Sequence, residues 1–257
     1  MKTALKKLWS GMLNKDGYKS KWYKNWFGEE YLTVYAHRNL IEAKKLVDLI
    51  KKELPLKKSD RILDIACGNA RHAKLLARNK HLIFGTDLSL TLLKSAMCHN
   101  CNHVFPFLIQ SDMRYLPFCN CFDVALSLFT SFGYFRSEIM NQQVIIEFAR
   151  ILRPGGRLAI DFFNPEFVMK TLEPVSERTS GKLKIKEERW IVENRVYKKI
   201  TINQDKTFSE SVRLYSLDEL SEIISSAGLK PFKIFGEYDG SAYKHDSSRM
   251  ILFALKE

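Results

Sequence analysis

The sequence predicts an α/β fold: a doubly wound, mostly parallel seven-stranded sheet carrying an inserted antiparallel β meander. Three observations carry this. Short continuous apolar runs alternate with apolar residues at helical spacing, the pattern of buried parallel strands joined by crossover helices. Turn residues fall where the period changes, as at Pro154-Gly155-Gly156. One stretch, 166–214, breaks the alternation, because three β-like segments follow one another there with no helix between.

Taken in order, residues 36–52 form an amphipathic helix on Leu40, Ile41, Ala43, Leu46, Val47 and Ile50, closed by Pro55. Strands at 61–65 and 81–86 flank a helix at 70–79, and Ser89 caps a helix running to residue 98. Strands follow at 104–110 and 122–128, then a helix at 141–152 and a fifth strand at 157–163. Segments 182–190, 195–203 and 208–214 make the meander. Ser216-Leu-Asp-Glu219 is a capping box opening a helix whose apolar face is Leu217, Leu220, Ile223, Ile224 and Ala227, stopped by Gly228. Strands at 233–238 and 249–255 complete the seven.

The 257 residues are 46% hydrophobic, enough for a sizeable core and against disorder. A formal charge of +12 raises the question of an anionic partner. Seven Lys and one Asp lie within residues 1–24, so part of the excess reads as a basic arm over 1–25, with the folded domain at 26–257 and its 166–214 insertion covering the active site. No apolar run approaches the roughly 18 residues a membrane span needs, and the N-terminus lacks the apolar core of a secretory signal. Five cysteines, an odd number, fit free thiols in a reducing, cytoplasmic setting.

The chemistry concentrates at Ile62-Leu-Asp-Ile-Ala-Cys-Gly-Asn-Ala-Arg-His72, a buried strand ending in an acid and a tight turn of small residues before a helix. Ala66, Gly68 and Ala70 leave room for backbone to approach a ligand. Asp87 follows Gly68 by nineteen residues at the end of the second strand, the spacing at which an acid in a nucleotide-binding half meets ribose hydroxyls. The G-x-G-x-x-G fingerprint of a dinucleotide site is absent: Ala66, Gly68 and Arg71 stand at its three positions.

These residues resemble the class I S-adenosylmethionine-dependent methyltransferases, from about residue 26 to the C-terminus. Asp64-Ile-Ala-Cys-Gly68 with Arg71-His72 resembles the family's first motif and Asp87-Leu88-Ser89 its second. Ser111-Asp112-Met113-Arg114, Leu116-Pro117-Phe118 and Phe122-Asp123 resemble the third. Leu128-Phe129-Thr130-Ser131-Phe132-Gly133-Tyr134 and Leu152-Arg-Pro-Gly-Gly156 resemble the segments after the fourth strand and before the fifth. The resemblance implies a Rossmann-like sheet and S-adenosyl-L-methionine as cofactor. It places Asp64 and the Ala66, Gly68, Ala70 turn at the methionine end, Asp87 on the ribose hydroxyls and Leu88 beside the adenine. Asp112 then accepts from the adenine amino group, Met113 offers its amide to the ring, and Phe129 joins the pocket wall. The alanines at 66 and 70 depart from the family's usual glycines. Trp26-Phe-Gly-Glu-Glu-Tyr31 and Tyr35-Ala-His-Arg38 resemble a lid helix whose aromatics, Tyr35 among them, close over the cofactor; a helix face packed on the core explains the same residues equally well.

A sulfonium methyl is already activated, so the protein's task is to align a nucleophile and exclude water. A base is needed only when the nucleophile arrives protonated. Candidates belong at the carboxyl ends of the parallel strands: Tyr134 after the fourth, and Asp161 and Asn164 after the fifth. If the last strand runs antiparallel, as the resemblance implies, Tyr238, Tyr243 and Arg249 join them. Asn164-Pro165 differs from the Asn/Asp-Pro-Pro-aromatic loop of amino-methylating enzymes of nucleic acids, both in residues and in following the fifth strand. Cys98, Cys101 and His103 with Cys119 and Cys121 suggest zinc by composition, but their strand edges lie two strands apart, roughly 14 Å at about 4.8 Å per strand, so no metal is expected. Cys67 reads as a small packing residue.

The leading expectation is methyl transfer to a small-molecule acceptor by a monomer or homodimer, with no membrane. Lys182, Lys184, Lys186, Arg189, Arg195, Lys198 and Lys199 on the insertion keep open an RNA or protein substrate. The missing glycines keep open a cofactor-binding module without turnover.

Overall fold

The computed structural model describes residues 21–36, 40–78, 81–97 and 105–257. Two short helices, α1 (Tyr23–Trp26) and α2 (Glu29–Val34), lead to α3 (Leu40–Glu53). The parallel core then alternates: β1 (Arg61–Ile65), α4 (Arg71–Ala77), β2 (Leu82–Asp87), α5 (Leu90–Met97), β3 (Phe107–Gln110), β4 (Phe122–Ser127), α6 (Glu138–Ile151) and β5 (Leu152–Phe163). After α7 (Pro165–Thr171) comes the meander of β6 (Val175–Ser180), β7 (Leu183–Val192), β8 (Arg195–Ile202) and β9 (Lys206–Arg213). The chain ends with α8 (Leu217–Ser226), β10 (Leu229–Phe235) and β11 (Arg249–Lys256).

The seven-stranded sheet has the order β10-β11-β5-β4-β1-β2-β3, and β6-β7-β8-β9 form a separate antiparallel sheet. β3, β2, β1, β4 and β5 are parallel, while β11 runs antiparallel to both β5 and β10. Helices cover both faces, so central strands must bury both sides of their pleat. Leu63, Ala125 and Leu158 pack with α6 and α8; their neighbours Ile62, Val124 and Ala159 pack with α3 and α4.

Several elements differ from expectation for visible reasons. The body starts before residue 26, because Trp22 and Tyr23 are buried in the core. β5 extends back through Arg153-Pro-Gly-Gly156, which bulges out of its pairing with β4 between Phe122 and Val124. α7 was unforeseen, although Asn164 caps it through Glu166 N at 3.1 Å and Pro165 occupies its first turn. β6 was also unforeseen: its sequence is polar and its side chains are largely exposed, so it exists through backbone pairing to β7. β10 begins four residues earlier than expected. Pro231 argues against a strand, yet β10 is an edge, where a missing amide is tolerated, and the register shifts beside it.

The two predicted caps form. Ser89 Oγ accepts from Leu92 N at 3.1 Å, and Ser216 with Glu219 completes the capping box. Cys98, Cys101 and His103 lie outside the described residues. Among those described, no group of three His, Cys, Asp or Glu side chains is set to hold a metal, and no helix is long and apolar enough to cross a membrane.

Candidate functional site

At the carboxyl ends of β1, β2 and β4 the sheet opens into a cavity of about 440 Å³. Its floor is the turn after β1. Ala66 and Ala70 adopt φ of 54° and 58°, flanking Gly68 at 57°, so the alanines take the left-handed conformation that glycines adopt without strain. The turn is tied down by Cys67 N donating to Thr86 O at 2.8 Å and Gly68 N donating to Asp87 Oδ2 at 2.8 Å. Ser89 N donates to the other Asp87 oxygen, also at 2.8 Å. Asp87 therefore joins the turn after β1 to the start of α5.

Nine residues expected to meet the cofactor line this one cavity, Tyr35, Asp64, Ala66, Gly68, Asp87, Leu88, Asp112, Met113 and Phe129, whereas Ala70 is fully buried and does not line it. Burial, reinforced by the Asp87 charge and opposed by the Ala73 amide and Arg71, pushes Asp64 up to about 7. Asp87 is raised mainly by burial against three backbone amides. Asp112 pays its own desolvation, but the Arg114 guanidinium and amide hold it below the ordinary carboxylate range. His72, at the start of α4, is pushed down to about 3 by burial and the Arg71 charge, and so is neutral. Burial raises the Cys67 thiol, which matches a packing role.

Buried side-chain atoms without a hydrogen-bond partner among the cavity-lining residues include Trp22 Nε1, Asp64 Oδ2, His72 Nε2 and Ser111 Oγ. Buried polar groups are ordinarily satisfied, so these are positions where polar atoms of a ligand fit. A carboxylate that prefers a cation, a ring nitrogen and a hydroxyl suit the ammonium, carboxylate and ribose groups of S-adenosylmethionine.

Aromatic residues roof the cavity. Trp22 meets Tyr134 at 5.2 Å and Phe27 at 5.6 Å between ring centroids, and Phe27 meets Tyr31 at 5.0 Å. The roof is fastened to the meander: Glu210 of β9 accepts from Trp26 Nε1 at 2.5 Å and from the Tyr35 hydroxyl at 2.9 Å, while Lys198 Nζ donates to the same hydroxyl at 2.6 Å. Trp22, Tyr23 and Glu210 escaped the sequence reading. The first two fall in what reads as a basic arm, and an acid on an exposed-looking strand carries no signal of its own.

The catalytic candidates separate. Tyr134 and Arg249 line the cavity; Asp161, Asn164, Tyr238 and Tyr243 are not among its lining residues. Asp161 is fully buried inside β5, not beyond its end. Its carboxylate accepts from Phe129 N at 2.8 Å and the Tyr238 hydroxyl at 2.9 Å, and pairs with Arg249 at 2.6 Å. Asn164 is equally buried; it caps α7 and donates to the carbonyls of Lys244, His245 and Ser247, and Tyr243 reaches it at 3.4 Å. These two hold loops.

The meander's basic residues are partly internal. Arg195 is 6% exposed and donates to Phe135 O and Gly133 O, and Arg189 and Lys198 both pair with Glu187. Lys186 also lies 3.6 Å from Glu188, so the stripe that suggested RNA is reduced to Lys182, Lys184 and Lys199.

Residues 62–156 match a family model described as a methyltransferase domain. The chain is 30% identical over 193 residues to a demethylmenaquinone methyltransferase of Corynebacterium kroppenstedtii, covering 70% of this chain and 72% of the relative. It is 27% identical to the dTDP-3-amino-3,4,6-trideoxy-alpha-D-glucopyranose N,N-dimethyltransferase of Streptomyces venezuelae, of which it spans about half: 47% of this chain and 48% of that one. Among solved structures, an S-adenosylmethionine-dependent methyltransferase from Clostridium acetobutylicum superposes with a TM-score of 0.76 at 17% identity, over 88% of this chain and 96% of that one. The sheet order, the motifs at the carboxyl ends of β1, β2 and β4, and these similarities agree: the chain belongs to the class I S-adenosylmethionine-dependent methyltransferases.

Proposed function

We propose that the 440 Å³ cavity binds S-adenosylmethionine and that the enzyme transfers its methyl group in line to a small-molecule acceptor. The observation that carries this is the convergence of Tyr35, Asp64, Ala66, Gly68, Asp87, Leu88, Asp112, Met113 and Phe129 on one cavity, where Asp64 Oδ2, His72 Nε2 and Ser111 Oγ are buried without a hydrogen-bond partner. Asp64 takes the methionine ammonium, Asp87 the ribose hydroxyls and Asp112 the adenine amino group, with Leu88 and Met113 against the ring.

When bound, the cofactor supplies a methyl already activated by its sulfonium. An acceptor's lone pair would take that methyl, with the methyl–sulfur electron pair left on sulfur and any acceptor proton lost to solvent. The protein's residues orient and dehydrate: Trp22, Phe27 and Tyr134 exclude water from above, and Phe129 and Tyr35 wall the side facing the acceptor. The relatives' names, a quinone and an amino-sugar methyltransferase, support a small acceptor.

Calorimetry on protein stripped of ligand tests the reading. One-to-one binding of S-adenosylmethionine, together with release of S-adenosylhomocysteine on adding a small-metabolite extract, is expected. Absence of binding would overturn the cofactor assignment, and binding without release from any fraction would favour a non-catalytic module.

A further inference from the structure

Beside the cofactor cavity lies a second cleft of about 790 Å³, and Tyr35 and Phe129 line both. The other seven motif residues face only the first cavity. The cleft is walled by charge. One wall is a single face of the meander, with Arg178 on β6, Glu187 and Arg189 two residues apart on β7, and Lys198 directly across the ladder from Arg189. Three cations meet Glu187 there: it lies 3.0 Å from Lys198 and 3.6 Å from Arg178, and also pairs with Arg189, while Lys198 lies 3.9 Å from a second carboxylate, Glu210, which lines the first cavity. The remaining charges come from Glu42 and Lys45, one turn apart on α3, and from Glu237 and Asp239 in the loop after β10. On that side three carboxylates meet one ammonium.

We propose that this cleft is the acceptor subsite and that it takes a small molecule bearing both an amino group and an anionic group, carboxylate or phosphate, at separate positions. The inference rests on the methyltransferase reading of the first cavity. Four cations and four carboxylates cancel in sum but are segregated in space. Glu187 is already buried against its cations, and Ser248 N and Oγ each donate to Glu237 at 2.7 Å; an uncharged or apolar acceptor entering the cleft strips water from the charged groups that still face it and replaces none of those interactions, which is costly. A molecule with one charge complements one wall and leaves the other desolvated. A bipolar molecule complements both, and matched potentials of this kind set specificity. The nucleophile is the amine: one of its protons leaves to solvent, the lone pair so freed bonds the methyl carbon at the Tyr35 and Phe129 boundary where the two spaces meet, and the methyl–sulfur electron pair stays on sulfur.

The test is a panel of small molecules sorted as neutral, amine only, anion only, or both, with 4-aminobutyrate, butylamine and butyrate as one matched set and phosphoethanolamine and ethanolamine as another. Release of S-adenosylhomocysteine is expected to concentrate in the class carrying both charges. For the best acceptor, Arg189→Gln and Glu42→Gln should each raise KM about tenfold with little change in kcat, and weaken its calorimetric binding to cofactor-free protein by a similar factor. Cofactor affinity should be unchanged in both variants, which also shows that they are folded. Best turnover of neutral or singly charged molecules, a KM indifferent to both substitutions, or no turnover from any class while S-adenosylmethionine binds, each overturns the proposal. Failure of S-adenosylmethionine to bind overturns the cofactor reading beneath it.

Discussion

Asp64 illustrates how burial prepares a residue for its partner. Its carboxyl, raised from 3.8 to about 7 by burial first and by Asp87 second, is protonated in the free protein at mildly acidic pH. A folded pKa above the unfolded one means that this group's stabilising contribution is complete below about pH 4 and is lost as pH rises through about 7. A bound ammonium reverses that preference. Cofactor binding at pH 6 should therefore release most of one proton, and almost none at pH 8, as read by calorimetry in buffers of different ionisation enthalpy; Asp64→Asn should abolish the release. Asp87→Ala should weaken cofactor binding by about 1.5–3 kcal/mol by calorimetry, because a charged acceptor is lost and the amides of Gly68 and Ser89 lose their partner. The strained alanines differ from each other. Left-handed φ costs an L-residue roughly 1–2 kcal/mol, and glycine's greater unfolded freedom takes back about 0.5–1. Ala66→Gly should thus raise the melting temperature slightly, whereas Ala70→Gly should be near neutral, since Ala70 is fully buried and its methyl is worth about 0.8 kcal/mol.

At the scale of elements, the loop after β4 depends on β5. Phe129 and Thr130 both have left-handed backbones, with φ of 57° and 61°, unusual for two consecutive residues other than glycine. Asp161 holds both: its side chain accepts from Phe129 N, and its carbonyl accepts from Thr130 N at 2.9 Å. Arg249 closes the arrangement by pairing with Asp161 and donating to Thr130 Oγ1 at 3.1 Å. Asp161 is a positioning residue that presents the Phe129 ring between the two cavities, where the Arg71 guanidinium lies 4.8 Å from the ring centroid. Asp161→Asn strands a buried guanidinium and should cost about 3–5 kcal/mol in urea denaturation. Gly133, with φ of 81°, serves the same region: a Cβ there would sit 3.2 Å from Arg213 O on β9. The segment after β4 is thus seated against both β5 and the meander.

At the scale of the molecule, the meander is both a wall of the second cleft and the anchor of the aromatic roof. Glu210→Ala removes the acceptor shared by Trp26 and Tyr35, so amide exchange should quicken across residues 22–36 while β1 and β4 keep their protection. Arg178 donating to Val34 O at 2.8 Å and Ser180 to Thr33 O at 3.0 Å remain, so the roof should loosen without detaching. The parallel sheet and the lining of the first cavity were legible in the residues because each depends on local pattern: period in the strands, small residues in the turn, and an acid nineteen residues after Gly68 at the end of the next strand. β6, the start of β10 and the burial of Trp22 were not legible. A polar edge strand is made by its neighbour's backbone, an edge proline is tolerated only because of where the edge lies, and an aromatic pair in a lysine-rich segment is buried only once a distant surface covers it. The sequence by itself determined the α/β class, the order of the motifs and nine of the residues that line the first cavity, since side-chain period and turn chemistry act over a few residues. Only the tertiary structure decided that Asp161 and Asn164 hold loops, that Arg189 and Lys198 pair with Glu187, and that opposite charges wall the second cleft. Burial and charge pairing arise between residues far apart in the chain, and local spacing carries no record of them.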